Sequence, residues 1–382
     1  MNNFPYKHIT VIVSPTDYCN MNCVYCFNGR RTMLERKTIS EGTLRKVFEI
    51  TIPYYSDIKF LWHGGEPLSM GQAFYEKVIS LQKEINTTDA HILNTMQSNL
   101  TLLDEDFAKF LIKNKFGIGG SFDGTQNEKT RHCSAQILAG HNILTQCGGT
   151  SGFICVVQAE NINHLIEDYE WFKSQGINYT LNQYLSDPCQ NGDPLYVPPG
   201  LFSKRMSEFF DYWFFDDGCK ISVTYFQDMI DFILFKSKKL CCYSSCLGKY
   251  VGIRYDGSIY PCNRDFDNKY FMGNVYNYTD IHECFDSEGF RSLLSTAIRR
   301  RSACKGTCSL YDFCEGGCNS AADMAGDVSK PNTNVCQSLT YLFEHVRQVV
   351  LTWVEKDIAD VNTHLNPTVV ERIERYKHGK SS

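Results

Sequence analysis

Three cysteines in one short loop, Cys19, Cys23 and Cys26, constrain this chain more than any other feature. They follow the apolar run Ile9 to Val13 at the spacing C-x3-C-x2-C, so their thiolates can converge on one metal centre. Cubane iron-sulfur clusters normally take four cysteines, one per iron. Over the next hundred residues no Cys follows, and the only histidines are His63 and His91. One iron is thereby left without a protein ligand, and an open iron is a place for a substrate or cofactor. Zinc is the competing reading, because C-x2-C pairs occur in zinc sites, but zinc needs a fourth ligand nearby. None stands at knuckle spacing.

At 382 residues the chain can bury a large core and form two domains. Its net charge of −5 gives no basic footprint for nucleic acid. No stretch approaches the roughly 18 apolar residues that suggest a membrane span, and Met1 to His8 is too short and polar for a signal peptide. A cytoplasmic location is expected. Eighteen cysteines in such a chain point to metal rather than disulfides. Three fall within the first 26 residues and nine between Cys241 and Cys318, with Cys336 beyond, so a catalytic unit precedes a cysteine-rich appendage.

Ile9 to Ser14 reads as a strand, followed by a helix from Glu41 into Ile52, capped by Ser40 and stopped by Pro53. A second strand, Ile58 to Trp62, runs into His63-Gly64-Gly65-Glu66-Pro67. Two glycines there let the backbone approach a ligand, and Glu66 can take up an ammonium. Helices are expected at Gln72–Lys83, Glu105–Lys115, Ala135–Gln146 and Ile162–Ser174. Strands are expected at His91–Gln97, Phe116–Phe122, Ser151–Gln158 and Ile177–Leu185. This alternation predicts an α/β fold of six parallel βα units. Asp187 to Gly200, with four prolines, is a linker or a loop over the barrel mouth. The aromatic-rich helices Leu201–Phe215 and Ser222–Phe235 read as core.

The triplet, with Tyr25 before its last Cys and Phe27 after it, resembles the signature of the radical S-adenosylmethionine (radical SAM) enzymes. The resemblance implies a partial (β/α)6 TIM-type barrel. It also implies that Cys19, Cys23 and Cys26 hold a 4Fe-4S cluster whose fourth iron is chelated by SAM, which one electron cleaves to methionine and a 5'-deoxyadenosyl radical. Gly64-Gly65-Glu66-Pro67 resembles the family's motif for the SAM amino group. Ser121-Phe122-Asp123-Gly124 and the following Arg131 resemble SAM-contacting positions of the sulfatase-maturase branch, and by the same resemblance Tyr25, Gly65 and Leu185 would touch SAM.

Farther on, Cys246 is followed by Gly257 and Cys262, with Tyr255 to Ser258 as a hairpin turn, then by Cys304-x3-Cys308-x5-Cys314-x3-Cys318 and Cys336. This layout resembles the SPASM domain, which carries two auxiliary 4Fe-4S clusters in radical SAM enzymes acting on peptides and proteins. One would use Cys246, Cys262, Cys318 and either Cys241 or Cys242, the other Cys304, Cys308, Cys314 and Cys336. That makes three 4Fe-4S clusters, with two four-thiolate zinc sites as the alternative for the appendage. The organisation expected is a barrel over 1–235, a SPASM domain over 236–340, and a C-terminal helix and tail over 341–382.

Sulfatase maturases carry an Asp directly after the Cys corresponding to Cys262, where it takes a proton. Here Asn263 stands, and an amide is no general base. Asp265 is the substitute candidate, set at another depth if the strand continues. Formylglycine formation is thereby demoted. The leading expectation is a radical SAM oxidoreductase that oxidises or cross-links a ribosomally made peptide or protein, fed by an electron donor such as flavodoxin or ferredoxin. With the triplet starting at Cys19, leader binding would need another surface or a separate protein. The alternatives are sulfatase maturation, oxidation or epimerisation of a small molecule, and a non-enzymatic iron-sulfur or zinc scaffold.

Overall fold

The computed structural model describes residues 7–26, 36–185, 192–264 and 269–380, so Phe27, Cys189, Asp265 and part of the proline-rich segment lie outside the described residues. The chain divides into two compact units. One comprises Met1–Ser121, Arg131–Ser151 and Cys246–Ala297, the other Phe122–Thr130, Gly152–Ser245 and Ile298–Ser382. The strands described are β1 (His8–Val13), β2 (Asp57–Trp62), β3 (His91–Ser98), β4 (Gly117–Ser121), β5 (Phe153–Val157), β6 (Tyr179–Gln183), β7 (Tyr250–Ile253) and β8 (Ile259–Tyr260). The first six match the expected strands to within about two residues at each end. No helix among the described residues is long and apolar enough to cross a membrane.

In the first unit β1 to β4 are parallel neighbours, separated in sequence by the helices Glu41–Glu49, Gln72–Ile85 and Glu105–Lys113. Ser40 caps the first of these, its Oγ accepting from the Thr43 N–H at 3.0 Å. That helix ends at Glu49, short of the expected Ile52, and Pro53 sits in a separate 3-10 turn, Ile52–Tyr54. Ile58, Phe60 and Trp62 alternate into the core along β2. Val13 stands opposite Trp62, Trp62 opposite Met96, and Met96 opposite Ile118. One row of residues therefore crosses four parallel strands at the same level, and the loops after the strands leave on one side, the end of parallel barrels that carries chemistry.

The hairpin expected in the appendage forms in this same unit. β7 and β8 are antiparallel, and Gly257 turns the chain at φ +83° with its N–H donating to the Arg254 carbonyl at 2.9 Å. β7 also pairs in parallel with β1, Thr10 opposite Tyr250. A Cβ on Gly252 of β7 would lie 2.5 Å from the carbonyl carbon and oxygen of Cys262, so the glycine is what lets the Cys262 backbone press on the sheet. β8 ends at Tyr260 and 261–264 is bent. Asn263 therefore does not stand in a strand, and Asp265 lies outside the described residues.

In the second unit β5 and β6 are parallel. Phe209, Phe210, Trp213, Phe214 and Phe226, from the helices Pro199–Phe214 and Thr224–Phe235, are fully buried as core. The helix Thr333–Val354 packs on both. It ends at Val354, and two more helices follow, Ile358–His364 and Pro367–Lys380. The basic C-terminus is thus not a solvated tail up to Lys380: Val369 and Ile373 are buried, and Arg372 donates to the buried Asp231 at 2.9 Å. Apolar residues at helical spacing among the lysines and arginines outweigh the charge pattern.

The helix Ser134–Gln146 tolerates Gly140 for a packing reason, since a Cβ there would stand 2.1 Å from the Leu100 carbonyl oxygen. Alanine is the better helix former by about 1 kcal/mol, yet the clash is with backbone and forces a shift. Gly140→Ala is expected to lower stability by about 1 to 3 kcal/mol, the range for overpacking, read as a lower urea midpoint at unchanged m-value.

Candidate SAM and iron-sulfur sites

The rim of the first unit gathers the sequence-singled residues of the first half, Cys19, Cys23, Cys26, Tyr25, Gly64, Gly65, Glu66, Ser121 and Arg131. The loop after β1 folds on itself, the Cys26 N–H donating to the Cys23 carbonyl at 3.2 Å and the Met21 N–H to the Cys19 sulfur at 3.4 Å. Burial pushes the Cys19 thiol up to about 12, with the charges of Glu66, Cys23 and Cys26 adding to it. Three thiols thus share one loop, and Cys19 among them resists ionising until a cation arrives, as a donor of a metal centre does.

The Gly-Gly-Glu loop after β2 is bonded directly to the cysteine loop. Gly65 N–H donates to the Thr16 carbonyl at 3.1 Å and Glu66 N–H to the Tyr18 carbonyl at 2.7 Å. A Cβ on Gly65 would fall 2.1 Å from the Tyr18 oxygen, and one on Gly64, whose φ is +113°, 2.6 Å from the Ser14 Cβ. The closeness these glycines serve in the protein itself is therefore to β1 and the cysteine loop, a use the sequence reading did not foresee.

Glu66 is buried. Its Oε1 accepts from the Leu68 N–H and the Ser98 hydroxyl, both at 2.8 Å, and its Oε2 accepts from the Asn99 N–H at 2.8 Å. Burial still raises its pKa against those bonds and against the charge of Arg131. A carboxylate has about four acceptor sites, so room remains for one more donor, and a cationic one would relieve the buried charge. The residues present fit an ammonium-bearing ligand. Asn99, missed from sequence, links the pieces: its Nδ2 donates to Asn20 Oδ1 at 3.0 Å and reaches Cys19 Sγ at 3.9 Å. Ser98 and Asn99 end β3, and that position on a parallel rim was the signal available for them.

Arg131 donates from Nη1 to the Tyr25 hydroxyl at 2.6 Å and so holds the end of the cysteine loop. Gln97 donates to the Ser121 hydroxyl at 2.8 Å and to the Gly120 carbonyl at 2.7 Å. His63 accepts the Gly64 N–H on Nδ1 at 2.7 Å, and burial with the nearby Arg264 holds its pKa down to about 4. Arg264, just after Cys262 and Asn263, therefore lies beside the Gly-Gly-Glu loop. In the second unit, Asp123 is spent on structure, accepting from the Val156 N–H at 3.0 Å and the Thr130 hydroxyl at 2.7 Å. Leu185 also belongs to that unit.

Of the appendage cysteines, Cys246 and Cys262 belong to the first unit and Cys241, Cys242 and Cys318 to the second. Cys304, Cys308, Cys314 and Cys336 all lie in the second unit. Burial pushes Cys336 up to about 12 and Cys314 to about 11, and in each case the neighbouring thiols of the set raise it further. Among the described residues no three His, Cys, Asp or Glu close on a single ion. The charges of Cys304 and Cys308 nevertheless act on Cys314, and those of all three on Cys336. Of the remaining thiols, Cys155 and Cys284 are buried as expected, whereas Cys133, Cys147 and Cys219 are partly exposed.

Glu66→Gln keeps the size of the side chain but turns one acceptor oxygen into an NH2 facing a donor. The expected loss is about 1 to 3 kcal/mol, the penalty for an unsatisfied buried group, measured by urea unfolding of the metal-free protein.

Comparison with known proteins accords with this geometry. The model of the Radical SAM superfamily matches residues 13–172, and that of SPASM, an iron-sulfur cluster-binding domain, residues 241–318. A cysteine-type anaerobic sulfatase-maturating enzyme of Clostridium perfringens is 27% identical over 360 residues, 88% of this chain and 96% of that protein. A serine-type enzyme of Bacteroides thetaiotaomicron is 23% identical over 376 residues, 89% and 90% of the two chains. The solved structure of anSMEcpe with bound AdoMet superposes with a TM-score of 0.81 at 24% identity, covering 90% of this chain and 98% of that one. Streptococcus suis SuiB bound to precursor peptide SuiA gives 0.63 at 15% identity, covering 86% and 76%. Both structural likenesses are of fold. The chain belongs to the radical SAM superfamily, as an enzyme with a SPASM domain whose cofactors are SAM and 4Fe-4S clusters.

Proposed function

We propose that this enzyme oxidises the side chain of a Cys or Ser within a protein substrate to formylglycine, as an anaerobic sulfatase maturase. The observation that carries the reading is the near full-length similarity to the cysteine-type and serine-type maturases. It reverses the lower rank that Asn263 alone gave to this reaction.

Held by Cys19, Cys23 and Cys26, a 4Fe-4S cluster with SAM would supply the hydrogen-abstracting radical chemistry, and an auxiliary cluster held by the appendage cysteines would supply an electron acceptor. For a Cys substrate the balance is the thiol plus water going to the aldehyde and hydrogen sulfide, with two electrons and two protons removed. The chain's own residues do the rest. Cys19, Cys23 and Cys26 would hold the SAM cluster, Glu66 would receive the SAM ammonium at its open acceptor site, and Tyr25, Gly64, Gly65, Ser121 and Arg131 would contact the cofactor. One proton must pass to a base. Asn263 cannot take it, and His63 is a poor acceptor with its Nδ1 engaged by Gly64. Asp265 is our candidate, on its place in sequence. The first electron comes from a flavodoxin or ferredoxin.

Asn263 favours a second reading, in which the substrate is a ribosomally made peptide whose radical is resolved by bond formation, with a separate leader-binding protein assisting. The deciding assay is anaerobic incubation with SAM, dithionite and a sulfatase-motif peptide, read by mass spectrometry. Maturation predicts loss of hydrogen sulfide with gain of oxygen at Cys, or loss of two hydrogens at Ser, and a fall of roughly 10² to 10⁴ in rate for Asp265→Asn, the range for a positioned base. Reductive SAM cleavage with both peptides left intact would move the second reading ahead.

A further inference from the structure

Before it reaches Ser121, β4 carries Gly117, Gly119 and Gly120, and one of these glycines makes room for a side chain of its neighbour β3. The two strands are parallel, with Thr95 opposite Gly117 and Gln97 opposite Gly119. Residues two apart in a strand share a face, so Thr95, Gln97, Gly117, Gly119 and Ser121 stand on one side of the sheet. A Cβ on Gly119 would lie 2.5 Å from Gln97 Oε1. Its absence lets the Gln97 side chain lie across β4, where Nε2 meets the Gly120 carbonyl at 2.7 Å and the Ser121 hydroxyl oxygen at 2.8 Å. All of these residues belong to the first unit.

The sense of these two bonds is fixed by chemistry. A carbonyl oxygen only accepts, so the Gln97 amide must turn its NH2 toward Gly120. The flipped amide would set two acceptor oxygens 2.7 Å apart. The same NH2 spends its second hydrogen on Ser121. A hydroxyl has one hydrogen to give, and an amide NH2 accepts none, so Ser121 accepts from Gln97 and its own hydrogen must leave in another direction. Among the described residues no acceptor takes that hydrogen.

We propose that Gln97 is a positioning residue that commits Ser121 to donating, so that its hydroxyl serves an acceptor oxygen of SAM, and that Gly119 provides the space this requires. The inference rests on the reading that Ser121 contacts SAM and adds the polarity of that contact. SAM carries acceptor oxygens on its carboxylate and ribose and donors on its ammonium. Glu66, an acceptor when ionised, suits the ammonium, and Ser121, turned by Gln97, suits the oxygens. A hydroxyl already held in the donating sense also loses less freedom when the ligand binds.

The test measures binding of methyl-labelled SAM to the reconstituted full chain by anaerobic equilibrium dialysis without reductant, with the iron content of each variant determined. Ser121→Ala should weaken binding by about tenfold, the worth of one hydrogen bond. Gln97→Glu puts an accepting oxygen in place of the donating NH2 and draws the Ser121 hydrogen inward, so it should match that loss. Gln97→Met frees the hydroxyl to rotate and should cost less, about threefold. Gly119→Ala should act like Gln97→Met, since its Cβ displaces the amide. The deciding comparison is in a Ser121→Ala background, which leaves no hydroxyl to orient. There each Gln97 and Gly119 variant should change SAM affinity by less than about twofold, the scatter of independent effects. Equal losses with and without the Ser121 hydroxyl would make Gln97 a brace between strands and overturn the proposal, as would unaltered affinity in every Gln97 and Gly119 variant. Should Gln97→Glu fail to take up iron, Gly119→Ala decides by the same comparison. SAM affinity untouched by Ser121→Ala alone would sink the contact itself and the proposal with it, a failure visible before any Gln97 variant is made.

Discussion

The buried carboxylate of Glu66 is the interaction on which the site depends. Its three accepted hydrogen bonds draw the turn after β2 and the end of β3 together, while its own N–H holds Tyr18 of the cysteine loop. Bonds to an ionised group are worth about 1.5 to 3 kcal/mol each, yet burial still lifts the carboxyl's pKa. The protein alone does not fully settle this charge. A bound cation would complete it, so that ligand binding and loop stability rise together by mass action.

Around that carboxylate the parallel register does the positioning. Val13, Trp62, Met96 and Ile118 stand in one row across four parallel strands, and the chain beyond each of them carries a site residue. Trp62 anchors the second of these from below, its indole donating to Asn94 at 3.0 Å, and the Tyr75 hydroxyl holds the Pro67 carbonyl at 2.9 Å. The Gly-Gly-Glu-Pro loop is thus pinned at both ends by side chains that have no chemistry of their own.

Much of this was legible in sequence because it is local. Cysteine spacing states its own ligand geometry, and short apolar runs alternating with amphipathic ones state a parallel α/β fold. What stayed hidden is set by partners distant in the chain. Gly65 reads as space for a ligand until the Tyr18 carbonyl is found in that space. Asn99, not singled out in sequence, gains its part only when its two loops meet. The strand after Gly257 ends at Tyr260, before Asn263, so strand alternation does not set the face of Asn263. The C-terminal helix was hidden by its lysines and arginines, since only Asp231, far away in sequence, gives Arg372 a reason to be near the core.

The central claim is that the cysteine loop and the Gly-Gly-Glu loop are one folded element, so that the SAM-binding cluster cannot form unless the two interlock. Gly65→Ala tests it most directly, because its Cβ would crowd the Tyr18 carbonyl while the three cluster cysteines stay unchanged. Iron and sulfide counted after anaerobic reconstitution should fall from about twelve of each to about eight, four per auxiliary cluster being retained. A Gly65→Ala protein with full iron and an unchanged SAM-dependent electron paramagnetic resonance signal would contradict the account.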